Sequence, residues 1–208
     1  MSLELWFAFA LASAALLAVP GPTVMLVLSY AMAGGRRTGL ATVPGVTLGD
    51  FTAMTVSLMG AGAILATSAT LFTVLKLVGA AYLIWLGAQL WRTGLPGDSL
   101  GTAGTAKGQG AMFWSAYVVT ALNPKSIVFF MAFVPQFIDP AQPALMQFVL
   151  LEATFLTLAA VNTALWAVLA GEMRARFSSI GVQRLIARSG AAVLIGAGIL
   201  TAAVHRGT

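Results

Sequence analysis

Apolar residues fall into six long stretches along this chain: Leu5–Met32, Thr38–Ala66, Leu71–Trp91, Ala111–Phe137, Leu145–Leu169 and Leu185–Val204. Each reaches or exceeds the roughly 20 residues that carry an α-helix across a bilayer. Lipid offers no partner to backbone N–H and C=O groups, so stretches of this length must be helical. The pattern predicts an all-α integral membrane protein with six transmembrane helices. The first stretch reads as a span and not as a signal peptide. Its start, Met1-Ser2-Leu3-Glu4, has no basic residue and carries an acid, and its apolar run is too long.

The stretches repeat. Pro22 precedes Asp50 by 28 residues and Pro124 precedes Glu152 by 28, with each acid in the apolar stretch that follows its proline. Further on, Gly79-Ala80-Ala81-Tyr82-Leu83-Ile84-Trp85-Leu86-Gly87 matches Gly190-Ala191-Ala192-Val193-Leu194-Ile195-Gly196-Ala197-Gly198 at six of nine positions. The offset between copies is 102 residues at the prolines and acids and 111 at the glycine motif, with the extra residues falling in the basic loop 171–183. Two three-helix halves, 1–91 and 111–208, are therefore expected, joined by a glycine-rich cytoplasmic linker at 92–110. Three spans is an odd number, so the second half must enter the membrane inverted. This is a 3+3 inverted-topology repeat, and paired, interrupted spans in such halves point to a transport site near the midplane.

Helices 1 and 4 are the interrupted ones. Pro20-Gly21-Pro22 lies near the middle of the first stretch, where proline removes a backbone bond and clashes with the preceding turn. Pro22 is expected to open a second half-helix at its first position. Asn123-Pro124-Lys125 does the same in the fourth stretch, with Asn123 as N-cap and Pro124 at the first position. The half-helices starting at Pro22 and Pro124 would turn positive N-termini toward a bound anion. Carbonyls near Val19 and Leu122 would favour a cation, and a zwitterion matches that pair of poles. Pro20, Gly21, Pro22, Asn123, Pro124 and Lys125 are the candidate substrate-binding residues. The bland reading of either motif alone is a proline kink with no ligand.

Charge adds the next constraint. Charged residues make up 8% of the chain and apolar residues 59%, with a mean hydropathy of +0.93. A soluble domain is about a quarter charged. The basic residues other than Lys125 sit between the stretches or near their ends: Arg36, Arg37, Arg92, Lys107, Arg174, Arg176 and Arg184, with Arg188 just beyond, follow odd-numbered spans, against Arg206 and, near the start of the third span, Lys76 on the other side. That bias places both termini outside a bacterial inner membrane in a multi-pass arrangement. It also accounts for the pI near 10.3 without nucleic acid.

Three charges remain away from the ends of the stretches. Lys125, at the centre of a span, must face a cavity or a partner. It either meets a substrate carboxylate or pairs with Asp50 or Glu152. Two acids against one lysine leave one carboxylate without a partner, able to hold a proton or a substrate ammonium but not both. Asp50 and Glu152 are the candidate proton-coupling residues, and that competition describes proton–substrate antiport. Gly45 and Gly49 form a small-xxx-small pair that serves either internal packing beside Asp50 or a homodimer face, with packing the expected role. Thr47, Gln147, Thr154 and Asn162 are candidates to line a polar path.

Pro20-Gly21-Pro22, Gly45 to Gly49-Asp50, Asn123-Pro124-Lys125 and the run Phe133-Val134-Pro135-Gln136-Phe137-Ile138-Asp139-Pro140 together resemble the lysine exporter (LysE) family. The lysine after the Asn-Pro pair is more similar to the homoserine and threonine efflux (RhtB) branch than to the basic-amino-acid branch. The resemblance covers about residues 3 to 204. It implies a six-helix inner-membrane exporter of amino acids or their derivatives, driven by the proton-motive force. The expected partners are an amino acid, protons and the lipid bilayer.

Rival functions fare worse. Gly49-Asp50 is similar to the Gly-Asp of membrane aspartyl proteases, but no second catalytic Asp follows and Glu152 lacks the flanking pattern. No metal or other cofactor is expected: there is no cysteine, and the single histidine, His205, stands alone near the end of the chain. A passive channel or uniporter is the other alternative to an antiporter.

Overall fold

The computed structural model describes residues 1–93, 108–139, 141–172 and 180–203. Most of the expected linker and basic loop, with Lys107, Arg174, Arg176, Pro140, His205 and Arg206, lies outside them. Helices are the only regular secondary structure among the described residues, with no strand. They form α1 (Leu3–Ala18), α2 (Pro22–Gly34), α3 (Arg36–Leu40), α4 (Val43–Thr67), α5 (Ala69–Thr93), α6 (Gln109–Ala121), α7 (Pro124–Ala132), a 3-10 turn (Val134–Phe137), α8 (Ala144–Glu172) and α9 (Ile180–Ala203).

Local sequence explains where these helices stop. Val19 is extended (φ −73°, ψ 113°), as the residue before a proline is driven to be, and ends α1. Gly21 is extended too, and Pro22 then opens α2 at a bend of 53°. The second break is gentler, at 45°, with Pro124 opening α7. α2 stops at Gly34 because Gly35 takes φ +79°, a conformation that favours glycine. The second apolar stretch, which reads continuously in sequence, is broken further on, at Ala41-Thr42: Thr38 lies in the one-turn α3, and the long helix begins only at Val43.

Among the described residues, Ala144–Ala170 of α8 is long and apolar enough to cross a membrane alone. The α1–α2 pair and the pair formed by α6 with Pro124–Phe137 meet the same test as bent spans. Large apolar side chains such as Phe7, Leu11, Val56, Met59, Trp85, Trp114 and Leu165 face outward, as lipid contact requires. Inside, Phe9, Phe129, Phe130, Phe133, Phe137 and Phe155 form one aromatic core with Leu16, Met54, Leu83, Leu151 and Leu194. Phe130 meets Phe155 edge-on at 4.8 Å between ring centres. This core joins α1, α4, α5, α7, α8 and α9 and fixes the two helix breaks beside each other.

Two close approaches set the frame. α4 lies along α6, where a Cβ on Gly45 would strike the Phe113 carbonyl and one on Gly49 would come within 2.8 Å of the Tyr117 carbonyl. The small-xxx-small pair therefore packs internally, beside Asp50. α5 lies along α9. A Cβ on Gly87 would sit 2.8 Å from the Ala191 carbonyl and 2.8 Å from Ile195, while one on Gly198 would sit 2.7 Å from the Ala80 carbonyl and 2.6 Å from Ile84. Each residue of one contact lies 111 positions from its counterpart in the other. The two helices exchange places in the same contact.

Candidate functional site

The two breaks meet through four side chains. Asn123 caps α7, its Oδ1 accepting from the Lys125 backbone N–H at 3.1 Å, and its Nδ2 donates to Thr23 Oγ1 at 3.3 Å. Thr23 stands in the first turn of α2, and its hydroxyl also lies 3.2 Å from that of Thr120 in the last turn of α6. Lys125 reaches the other way. Its Nζ donates to Leu16 O at 3.2 Å and to Val19 O at 2.9 Å, the carbonyls at the end of α1. An ammonium has three N–H donors, and the third has no acceptor among the described residues.

A small polar cavity lies between the breaks, lined by Leu16, Leu17, Gly21, Thr23, Val24, Val46, Asp50, Asn123, Lys125, Ser126, Asn162 and Thr163. About 30 Å³ of it is open to the centre of a water molecule, room for roughly two waters. Asn162 is fixed by donating to Leu17 O at 3.1 Å. Asp50 is 3% exposed, takes no hydrogen bond from a described residue, and forms no ion pair within 4.0 Å with one. Lys125 is the charge it feels across the cavity. A buried, unpaired carboxylate is costly, so it marks a place where a mobile cation or a proton belongs.

The start of α2 has complementary chemistry. Gly21 offers no side-chain cap, so the first N–H groups of this 13-residue helix carry the helix-end positive field unmasked. Gly21 also lets the lysine pass: a Cβ there would sit 3.3 Å from Lys125 Nζ. The cavity thus offers an anion pole (the start of α2 with the spare lysine donor) and a cation partner (Asp50).

Of the residues expected to bind substrate, Gly21, Asn123 and Lys125 line this cavity, and Pro20, Pro22 and Pro124 shape the backbone around it. Of the two acids, only Asp50 lines it. Glu152 lies on the α4–α8 contact, where Thr55 Oγ1 donates to its carboxylate at 2.7 Å. The carbonyl pole expected near Val19 exists, but Lys125 occupies it. Leu122, the matching residue of the second break, is 69% exposed and does not line the cavity. The polar path does not form as a unit. Asn162 lines the cavity, but Gln147 ties down the turn at Asp139, Thr154 accepts from Trp6 Nε1, and Thr47 bonds back to Val43 O. Thr23, Ser126 and Thr163 line the cavity without having been singled out by the sequence. For Thr23 a signal exists, since it stands 102 residues before Lys125, the same offset as the prolines.

Residues 14–203 match the family model described as LysE type translocator, and the chain belongs to that family. Its relatives include a homoserine/homoserine lactone efflux protein of Salmonella typhimurium, 37% identical over 175 residues that cover 84% of each chain. A leucine efflux protein of Salmonella choleraesuis is 33% identical over 125 residues, 60% of this chain and 59% of its own. An uncharacterized membrane protein of Vibrio cholerae is 32% identical over 202 residues, covering 97% of this chain and 98% of its own. No solved structure matches the chain.

Proposed function

We propose that this translocator exports neutral amino acids or their small derivatives by proton antiport across a bacterial inner membrane. The observation that carries the reading is Asp50: buried, unpaired, and in one cavity with Lys125 and the uncapped start of α2. A substrate carboxylate binds at the start of α2, taking the third donor of Lys125. Its ammonium binds Asp50. A proton on Asp50 excludes that ammonium, and the ammonium excludes the proton, so each carries the other's return. The hydroxyl and amide groups of Thr23, Ser126, Asn162 and Thr163 suit a short polar side chain, in keeping with the homoserine-exporting relatives. The cavity is too small for an amino acid as it stands, so the described conformation is a closed one and transport requires the halves to part.

The reading assigns six spans as two inverted halves, 1–91 and 111–208, with both termini outside. The exchanged contacts of Gly87 and Gly198 support such a two-fold relation. So does the way α4 packs on α6 and α7 while α8 packs on α1 and α2. The test is efflux from liposomes preloaded with mixed amino acids under an inward proton gradient. Gradient-driven loss of a few neutral amino acids supports the antiporter, and flux indifferent to the gradient replaces it with a channel or uniporter.

A further inference from the structure

The end of α1 is an unusual place for a lysine to terminate. Pro20 has no N–H, so Leu16 O loses the donor that a continuing helix would supply and keeps only the cap bond from the Val19 N–H at 3.2 Å, while the extended backbone at Val19 turns its own carbonyl out of the helix. Both residues are buried, at 1% and 2% exposure, so water does not satisfy these groups freely. Unwound carbonyls at the C-terminal end of a half-helix carry partial negative charge and coordinate cations. The cation here comes from more than a hundred residues further along the chain: Lys125 Nζ, at 3.2 and 2.9 Å. Gly21 keeps the approach open, since any Cβ would press on Nζ and Cε at 3.3 and 3.4 Å.

We propose that the end of α1 is a seat for a monovalent cation which Lys125 fills from within the chain, and that this filling restricts the cavity to substrates bearing a single ammonium. The second part rests on the exporter reading above; the first does not. With the carbonyl pole taken, Asp50 is the one anionic group among the lining residues. A compound with one ammonium finds it. A diamino acid brings a second ammonium that finds no partner in a desolvated site, which is a large cost.

The test removes the tethered ammonium and offers a free one. Lys125→Ala and Lys125→Ser are purified in detergent and melted with methylammonium chloride or with tetramethylammonium chloride at equal concentration. Methylammonium, which can donate to the two carbonyls, is expected to raise Tm by about 3 °C in the variants. It should do nothing to the unsubstituted protein, and tetramethylammonium should do nothing to either. No shift, equal shifts with both cations, or a shift in the unsubstituted protein overturns the seat. In liposomes of the unsubstituted protein, homoserine is expected to compete for efflux, and 2,4-diaminobutyrate, which carries a second ammonium, is not. A methylammonium shift in the variants alongside competition by 2,4-diaminobutyrate overturns the single-ammonium rule and leaves the seat standing. If neither variant is recovered folded, reductive methylation of the unsubstituted protein decides: Lys125 should resist modification, and labelling at the rate of an exposed lysine overturns the proposal. Melting and methylation need no transport, so a failed exporter reading would show itself separately, as absent amino-acid flux.

Discussion

At the first break a glycine stands before α2 with no side chain bonded to the helix start, whereas at the second an asparagine closes the start of α7. The first has its upstream carbonyls filled by a lysine from the second, whereas Leu122, upstream of the second, faces outward. Both breaks use a proline at the first helical position and bend the chain by similar angles, 53° and 45°. The backbone plan is shared and the chemistry is not. The shared backbone plan supplies paired helix ends, and the proposed site uses one of them as a binding pole and the other as a support. The acids follow the same division, with Asp50 bare in the cavity and Glu152 held by Thr55 outside it.

The sharpest way to break this contrast is to neutralise each acid in turn. Asp50→Asn is expected to cut gradient-driven efflux about a hundredfold, near the upper end of coupling between two ligands. Glu152→Gln should cost less than about threefold, the worth of an ordinary hydrogen bond between membrane helices. Equal losses in the liposome assay would mean that both acids carry protons and that the asymmetry is only geometric. The α5–α9 contact serves as the symmetric control. Gly87→Val and Gly198→Val each force a side chain against a carbonyl of the facing helix and should destabilise alike, by about 1–3 kcal/mol. Thermal unfolding in detergent checks this, and clearly unequal shifts would contradict the exchanged packing.

Smaller effects separate the caps. Asn123→Ala removes the cap of α7 and should cost about 1 kcal/mol in unfolding measurements. It should also loosen Thr23, which Asn123 holds, so substrate affinity should fall with it. The smallest change is Thr154→Val, which takes the acceptor from Trp6 Nε1 and should cost about 0.6 kcal/mol with no effect on efflux selectivity. A selectivity change there would extend the site beyond the cavity.

Much of this was legible because proline, asparagine and glycine act on the backbone within one turn. Pro22 and Pro124 open their helices where the sequence predicts, and Asn123 caps as an asparagine before a Pro-led helix should. Asp50 was legible as a charge that an apolar stretch must enclose. The partner of Lys125 was not, because it depends on how the two breaks cross in space. Nor was the separate fate of Glu152, since equal spacing from a proline along the chain does not fix which neighbour each helix face meets. The shared frame also has limits of its own: α5 lies along α7, while α9 lies along α1 and not along α2. The end of α2 was within reach of the sequence, as Gly34-Gly35 ahead of Arg36 is a stop signal between the first two apolar stretches, whereas the apolar pattern does not mark the break at Ala41-Thr42.

The bond from Lys125 to the end of α1 also bears on how the protein is made. Chains emerge from the N-terminus, and the first helix pair enters the membrane well before residue 125 exists. Until α7 arrives, Val19 O waits without the donor that the finished protein gives it, and Leu16 O has only the bond from the Val19 N–H, in surroundings where an unmet carbonyl is expensive. The first helix pair is therefore born incomplete, and the arrival of Lys125 is the event that locks it. A truncated chain ending before α7 should be a poor substrate for insertion and a ready one for the cell's membrane proteases.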